Sequence, residues 1–154
     1  MINAPFWVLH PIKSENITID GVTIESHGPN DDGCDPEYCK NVVIKNCLFN
    51  TGDDCIAIKS GRDADGRRVG IPSENILVRD CRMIDGHGGV VMGSEMSAGI
   101  TNVFVENCRM DSPNLDRAIR IKTNTRRGGF VRDLHVRNLE EGQVKEALLR
   151  VNLF

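Results

Sequence analysis

No run of apolar residues in this chain approaches the ~18 needed for a membrane-spanning helix, so no membrane partner is expected. Cys-x-x-Cys pairs are absent: the closest two of the six cysteines, Cys34 and Cys39, are five positions apart. That spacing argues against both a zinc site and a disulfide framework. There is no basic block, no interleaving of aromatic with basic residues, and the formal net charge is −3. Binding to nucleic acid through phosphate contacts is therefore not expected. The opening residues, Met1 to Asn16, lack the basic start and apolar stretch of a secretory signal, and the compartment stays open. Leucine is scarce and no segment carries a helical apolar stripe, which disfavours leucine-rich and helical repeats. What remains is a 154-residue chain, long enough for one domain with a core.

What the chain does have is repetition. The segments ENITIDGVTI (15–24), KNVVIKNCLF (40–49), ENILVRDCRM (74–83), TNVFVENCRM (101–110) and RDLHVRNLEE (132–141) share one pattern. Its lead residues are Asn16, Asn41, Asn75, Asn102 and Asp133, at steps of 25, 34, 27 and 31. A constant core with a variable period implies loops of different length on a fixed scaffold. Each unit alternates apolar and polar residues, as a half-buried strand does. A second short strand follows in CIAIK (55–59), GVVMG (89–93), AIRIK (118–122) and ALLRV (147–151), with Gly, Asp, Asn and Ser clusters between strands. The expected fold is all-β, a parallel solenoid of about five rungs stacked ~4.8 Å apart, filling residues 1–154 as one domain. A Greek-key sandwich is the alternative, but it does not predict ladders of equivalent positions. One such ladder is Val22, Cys47, Cys81, Cys108 and Leu139, which makes the cysteines small apolar fillers. The lead asparagines are read as turn residues that bond within their own column.

Asp53 and Asp54 precede the apolar run Cys55-Ile56-Ala57-Ile58, where adjacent carboxylates gain nothing from a strand. Stacking supplies a purpose. Aligning Cys34 with Cys55 puts Asp32 beneath Asp53, with Asp54 beside both. The next rung, DGHGGVVMGSE (85–95), brings His87, and the one after, DRAIRIKTN (116–124), brings Arg120 and Lys122. The two cations are two apart on a strand and share a face. Ala57 and Lys59 precede them by 63 residues each and are aligned with them. An acidic cluster, an imidazole and two cations thus follow one another along the solenoid axis. Strict alternation would send Asp53 and Asp54 to opposite faces, so the backbone must bend there, as Gly52 permits. Such a set suits glycoside hydrolysis, where one carboxylic acid protonates the leaving oxygen and others activate water. Crowded carboxylates raise each other's pKa and keep a proton in the cluster. Nearby cations suit a substrate that itself carries carboxylates.

The runs NDDGCD (30–35), GDDCIAIKSG (52–61), GHGG (86–89) and RIK (120–122) resemble, in order, the motifs of the polygalacturonase-type glycoside hydrolases. GRDADGRRVGIPSENI and GSEMSAGITNV look like the bacterial branch of that family, which includes exo-acting enzymes. The resemblance implies a right-handed, single-stranded parallel β-helix that cleaves α-1,4-galacturonosidic linkages in pectin with inversion. It implies Asp53 as general acid, Asp32 and Asp54 as the residues that hold and activate water, and His87 as a group tuning the acid. Asn30, Arg120 and Lys122 would bind substrate, a pectic polysaccharide or oligogalacturonide, with no metal or other cofactor required.

Three departures stand out. Asp31 occupies a position where the family commonly has threonine, which adds charge near the site and is expected to push the cluster's pKa values up. The only tyrosine, Tyr38, precedes the acid, so the family's late tyrosine has no counterpart. The chain is also far shorter than the family's usual length and reads as its central rungs. A solenoid cut mid-stack exposes an apolar rung at each end, so self-association through open ends is expected. A calcium-dependent, pectate-lyase-like β-elimination and a non-catalytic carbohydrate-binding β-helix remain as alternatives.

Overall fold

The computed structural model describes residues 1–153. Twelve strands and one short helix coil into a stack of three parallel sheets. The first turn contributes β1 (Glu15–Asp20) and β2 (Thr23–Ser26). The second contributes β3 (Lys40–Lys45), β4 (Leu48–Thr51) and β5 (Ile56–Ile58), and is followed by α1 (Asp63–Val69). The third contributes β6 (Ser73–Arg79), β7 (Arg82–Asp85) and β8 (Val90–Gly93), the fourth β9 (Ile100–Glu106) and β10 (Arg117–Thr123), and the last β11 (Val131–Arg137) and β12 (Ala147–Leu153). The sheets run β1-β3-β6-β9-β11, β2-β4-β7 and β5-β8-β10-β12. Each strand pairs with its equivalent on a neighbouring turn, giving a β-helix of about four complete turns.

The sequence pattern explains the stack. In the five-stranded sheet Ile17, Val42, Ile76, Val103 and Leu134 align in one column, and Ile19, Ile44, Val78, Val105 and Val136 in another. Ile24, Phe49 and Met83 align in the second sheet. Ile56, Val90, Ile119 and Leu149 align in the third. These inward columns form one continuous core, buried wherever a rung lies on both sides. Val22, Cys47, Cys81, Cys108 and Leu139 all pack in or against it, and the six cysteines are free and buried. Burial pushes the Cys34 and Cys55 thiols up, which suits inert fillers.

The corners are held by polar columns. Asn16, Asn41, Asn75 and Asn102 all adopt φ between 56° and 59°, and Asp133 follows at 53°. The amide of Asn41 donates to Asn16 at 3.0 Å, that of Asn75 to Asn41 at 2.9 Å and that of Asn102 to Asn75 at 2.6 Å. Asparagine tolerates the left-handed region better than other side chains, and the ladder satisfies its amide. A second left-handed column not read from the sequence runs through Asn46, Asp80, Asn107 and Asn138 at the next corner.

α1 is a correction, since no helix was expected. Seven residues are too few to show an apolar stripe. Asp63 and Asp65 in its first turn and Arg67 and Arg68 in its last complement the helix dipole, and Gly70 closes it at φ 65°.

Candidate active site

The chain bends immediately before β5, and this bend resolves the problem of adjacent acids. Thr51 donates its hydroxyl to the Asp53 carbonyl at 2.9 Å, and the Asp54 amide donates to Asp53 Oδ1, also at 2.9 Å. Both carboxylates consequently meet partners on the outer face of the third sheet. The value of Gly52 is space rather than unusual φ. A Cβ there would lie 2.4 Å from the Gly28 carbonyl oxygen of the turn below.

Asp53 Oδ1 lies 3.1 Å from His87 Nδ1, while the His87 amide donates to the Asp53 carbonyl at 3.1 Å. The imidazole is half exposed, and the Asp53 carboxyl is 21% exposed. Asp54 is fully buried, and its Oδ2 receives the Lys122 ammonium at 2.5 Å. Lys122 sits two rungs from Asp54, with Gly93 opposite it on the intervening strand. Gly93 itself presents no side chain beside the lysine. Gly88 sits against Val91: a Cβ there would lie 2.5 Å from Val91 Cγ2, and only in ordinary contact with Asp54 Oδ1 and the Arg120 Cβ. Arg120 shares the outward face with Lys122 and aligns with Val91 and Ala57, and its Nε has no hydrogen-bond partner.

Asp32 joins from the turn below, one register step from the alignment expected. Cys34 pairs with Ile56, not with Cys55, so Asp32 falls level with Asp54. The Gly33 amide donates to the Asp54 carbonyl at 2.9 Å and locks the two turns together. Burial raises Asp32 to about 6; Lys59 opposes the shift, and Asp54 and Asp53 add to it. Burial likewise raises Asp54, against the pull of Lys122. Protonation in this group belongs to the cluster. Asp31 does not join it. Its Oδ2 accepts from the Ser26 hydroxyl at 2.5 Å and the Gly28 amide at 2.8 Å, so its carboxylate staples its own loop. Asn30 is exposed on that loop. Tyr38 is buried with its hydroxyl against Gly61, a structural position.

The structure adds a group that motif matching passed over. Lys59, 4% exposed, lies 3.5 Å from Asp32 Oδ2, 3.4 Å from Asp35 Oδ2 and 3.2 Å from Glu95 Oε2. Its ammonium also sits 4.3 Å from the centroid of the Trp7 ring. In the sequence Lys59 shares a column with Lys122 and lies inside the run GDDCIAIKSG, but the resemblance assigns it no role.

His87 also borders a polar groove of about 280 Å³ lined by His27, Asp85, Asn114, Asp116 and Lys145. A larger groove of about 460 Å³ lies at the last turn among Ile119, Leu134, Val136, Leu148 and Leu149. Its walls are core columns with no rung above them, and they offer no chemistry.

Known proteins of similar sequence and fold include glycosyl hydrolases. A probable polygalacturonase of Vitis vinifera is 40% identical over 96% of this chain, which covers 30% of that protein. An exo-poly-alpha-D-galacturonosidase of Dickeya chrysanthemi is 32% identical over 82% of the chain and 21% of the relative. The crystal structure of a hyperthermoactive exopolygalacturonase from Thermotoga maritima superposes with a TM-score of 0.88 at 50% identity, over 99% of this chain and 34% of that one. The chain therefore spans about a third or less of the length of these relatives. Residues 1–149 match the model of the glycosyl hydrolases family 28, and the chain belongs to that family.

Proposed function

We propose that the chain carries the catalytic rungs of a polygalacturonase, hydrolysing α-1,4-galacturonosidic linkages with inversion, and forms the central part of a longer β-helix. The observation that carries this reading is the convergence of Asp53, held by His87, with Asp54, held by Lys122, beside Asp32. Asp53 is the acid because it alone of these three is appreciably exposed and can reach a leaving-group oxygen. His87 and the Asp54 amide fix its Oδ1, which leaves Oδ2 to carry the proton. Asp32 and Asp54 bind and deprotonate the attacking water on the opposite side of the sugar. Lys122 is engaged with Asp54, so its first role is to hold that carboxylate in place. Arg120, half-buried on the same strand face with its Nε buried, has the terminal nitrogens of its guanidinium as the better grip for a galacturonate carboxylate. Asn30 binds the sugar from the rim. The names of the relatives point to the same substrate.

Incubation with de-esterified polygalacturonate should release reducing ends without ultraviolet-absorbing unsaturated products, and added chelator should not matter. Proton NMR of the first product should show the β-anomer. Asp53→Asn should lower the rate ~10²–10⁴-fold while oligogalacturonate still binds. Unsaturated, chelator-sensitive products would overturn the reading in favour of β-elimination. Binding without turnover in the unsubstituted chain would leave a carbohydrate-binding β-helix.

A further inference from the structure

We propose that Lys59 is a positioning residue for the reaction: from beneath the site it holds Asp32 as the anion that accepts the water's proton, with Glu95 setting how much of its charge Asp32 receives. This rests on the hydrolytic reading given above. The lysine is built in rather than incidental. It ends the run after β5, its side chain is buried, and the Trp7 ring covers it. Its ammonium is shared among Asp32, Asp35 and Glu95 at 3.2–3.5 Å. Burial alone would lower Lys59, but Asp35, Glu95 and Asp32 outweigh that and hold it well above the usual lysine range. It is a permanent charge across the working pH range.

The three carboxylates do not share it equally. Both oxygens of Asp35 lack a hydrogen-bond donor, and the group is fully buried. Burial drives its pKa well up despite Lys59, and Asp32 adds to the rise. Asp35 is thus the member for which burial most favours the neutral form. Glu95 behaves in the opposite way. Burial would raise it, but Lys59 and the Ser94 hydroxyl bring it down to about 2, and Arg127 lies 3.4 Å from its other oxygen. The ammonium is therefore divided between two anions, Glu95 and Asp32. The groups facing Asp32 are Asp35 from its own segment, as a hydrogen-bonding group, and the charges of Asp53 and Asp54 from the bend before β5 and of Lys59. Lys59 is the one cation among them, so it decides whether Asp32 is charged at the pH of the reaction.

Two substitutions should move Asp32 in opposite directions. Lys59→Met removes the cation and should raise the Asp32 carboxyl titration, followed by ¹³C NMR, by about one pH unit or more. The acid limb of kcat/KM on polygalacturonate should move up with it, kcat should fall more than KM rises, and Lys59→Arg should restore most of both. Glu95→Gln, whose side chain is partly exposed, frees the ammonium for Asp32 and should shift the same titration down. Should Lys59→Met fail to fold, the Glu95→Gln shift and the Lys59→Arg profile decide alone. An Asp32 titration that stays put in folded Lys59→Met, or rises in Glu95→Gln, overturns the proposal. If the titrations move as described but Asp32→Asn leaves turnover intact, the proposal fails as well, because Asp32 is then not the base. If the unsubstituted chain turns over no polygalacturonate, the hydrolytic reading fails and the titrations report the charge coupling by itself.

Discussion

At the scale of single residues the site divides labour by burial. Asp54 and Asp32 lie under the surface with a cation each, Lys122 and Lys59, while Asp53 is partly exposed and Arg120 half-buried. Two outcomes follow from that division. Arg120→Ala removes a charge-assisted contact worth ~1.5–3 kcal/mol, so KM for oligogalacturonate should rise about 10–100-fold with a smaller change in kcat. Steady-state kinetics on defined oligomers measures this, and an unchanged KM would mean the guanidinium does not meet the substrate. The second outcome concerns pH. Water activation needs Asp32 ionised, and burial holds that group up to about 6. As pH falls through that value the base takes up its proton, so turnover should decline on the acid side near pH 6. The stability effect runs the other way. A carboxyl raised from its usual 3.8 to about 6 contributes stability that is fully present below the lower value and lost as pH rises through the higher one. The ionised base that turnover requires is therefore the less stable form of the fold. Urea midpoints of the unsubstituted chain and Asp32→Asn, compared at pH 4 and pH 8, test this directly. The variant should gain relative stability at the higher pH.

At the scale of elements, corners and turns matter more than strands. Asn75 donates to Asn41, accepts from Asn102 and sits at φ 57°. Asn75→Ala loses both bonds and strains the backbone, at a cost of about 1–3 kcal/mol. Asn75→Gly should cost less because glycine relieves the strain. Thermal melts of the two variants rank them, and the reverse order would mean that the left-handed backbone costs alanine less than the added chain entropy costs glycine. Gly52→Ala should be worse for activity than for folding, because relieving its clash with the turn below shifts the bend that aims Asp53. Much of this element scale was legible beforehand. The asparagine column, the alternation and the cysteine ladder follow from period and residue type alone, and they place the strands of the five-stranded and four-stranded sheets, while β2, β4 and β7 were not separated from the strands before them. Three features were hidden. The one-residue register between Cys34 and Ile56 is set by backbone pairing across turns, and aligning like residues misjudges it. The helix of seven residues is too short to write a periodic signature. The clamp on Lys59 joins residues from four separate turns and loops, Trp7, Asp32 with Asp35, Lys59 itself and Glu95, with no spacing of its own. The resemblance assigns His87 a role through Asp53, but gives none to Lys59, although that residue lies inside the quoted run GDDCIAIKSG.

At the scale of the whole molecule the decisive fact is that the core columns do not stop being apolar where the described rungs end. Ile119 is 3% exposed, whereas Leu149, stacked on it by β12, is 57% exposed. Val151 and Leu153 on the same strand, and Val136 on β11, are likewise open. At the other end Met1, Ile2, Phe6 and Ile12 are exposed. β11, β12 and β1 are edge strands of their sheets with unpaired backbone groups. The 154-residue chain, studied alone, should therefore associate end to end. Pairing the first rung of one copy with the last rung of another continues the parallel ladder, is heterologous and does not close on itself. The expected behaviour is a concentration-dependent series of species in sedimentation velocity, with a melting temperature that rises with protein concentration. Leu149→Lys together with Val151→Glu puts charge into the exposed columns and should shift the distribution to monomer. Neither residue lies among the groups that form the site, so turnover per site should not fall. A chain that sediments as a monomer at every concentration would mean the open rungs are tolerated in water, and the idea that the stack is completed by further rungs would lose its energetic support.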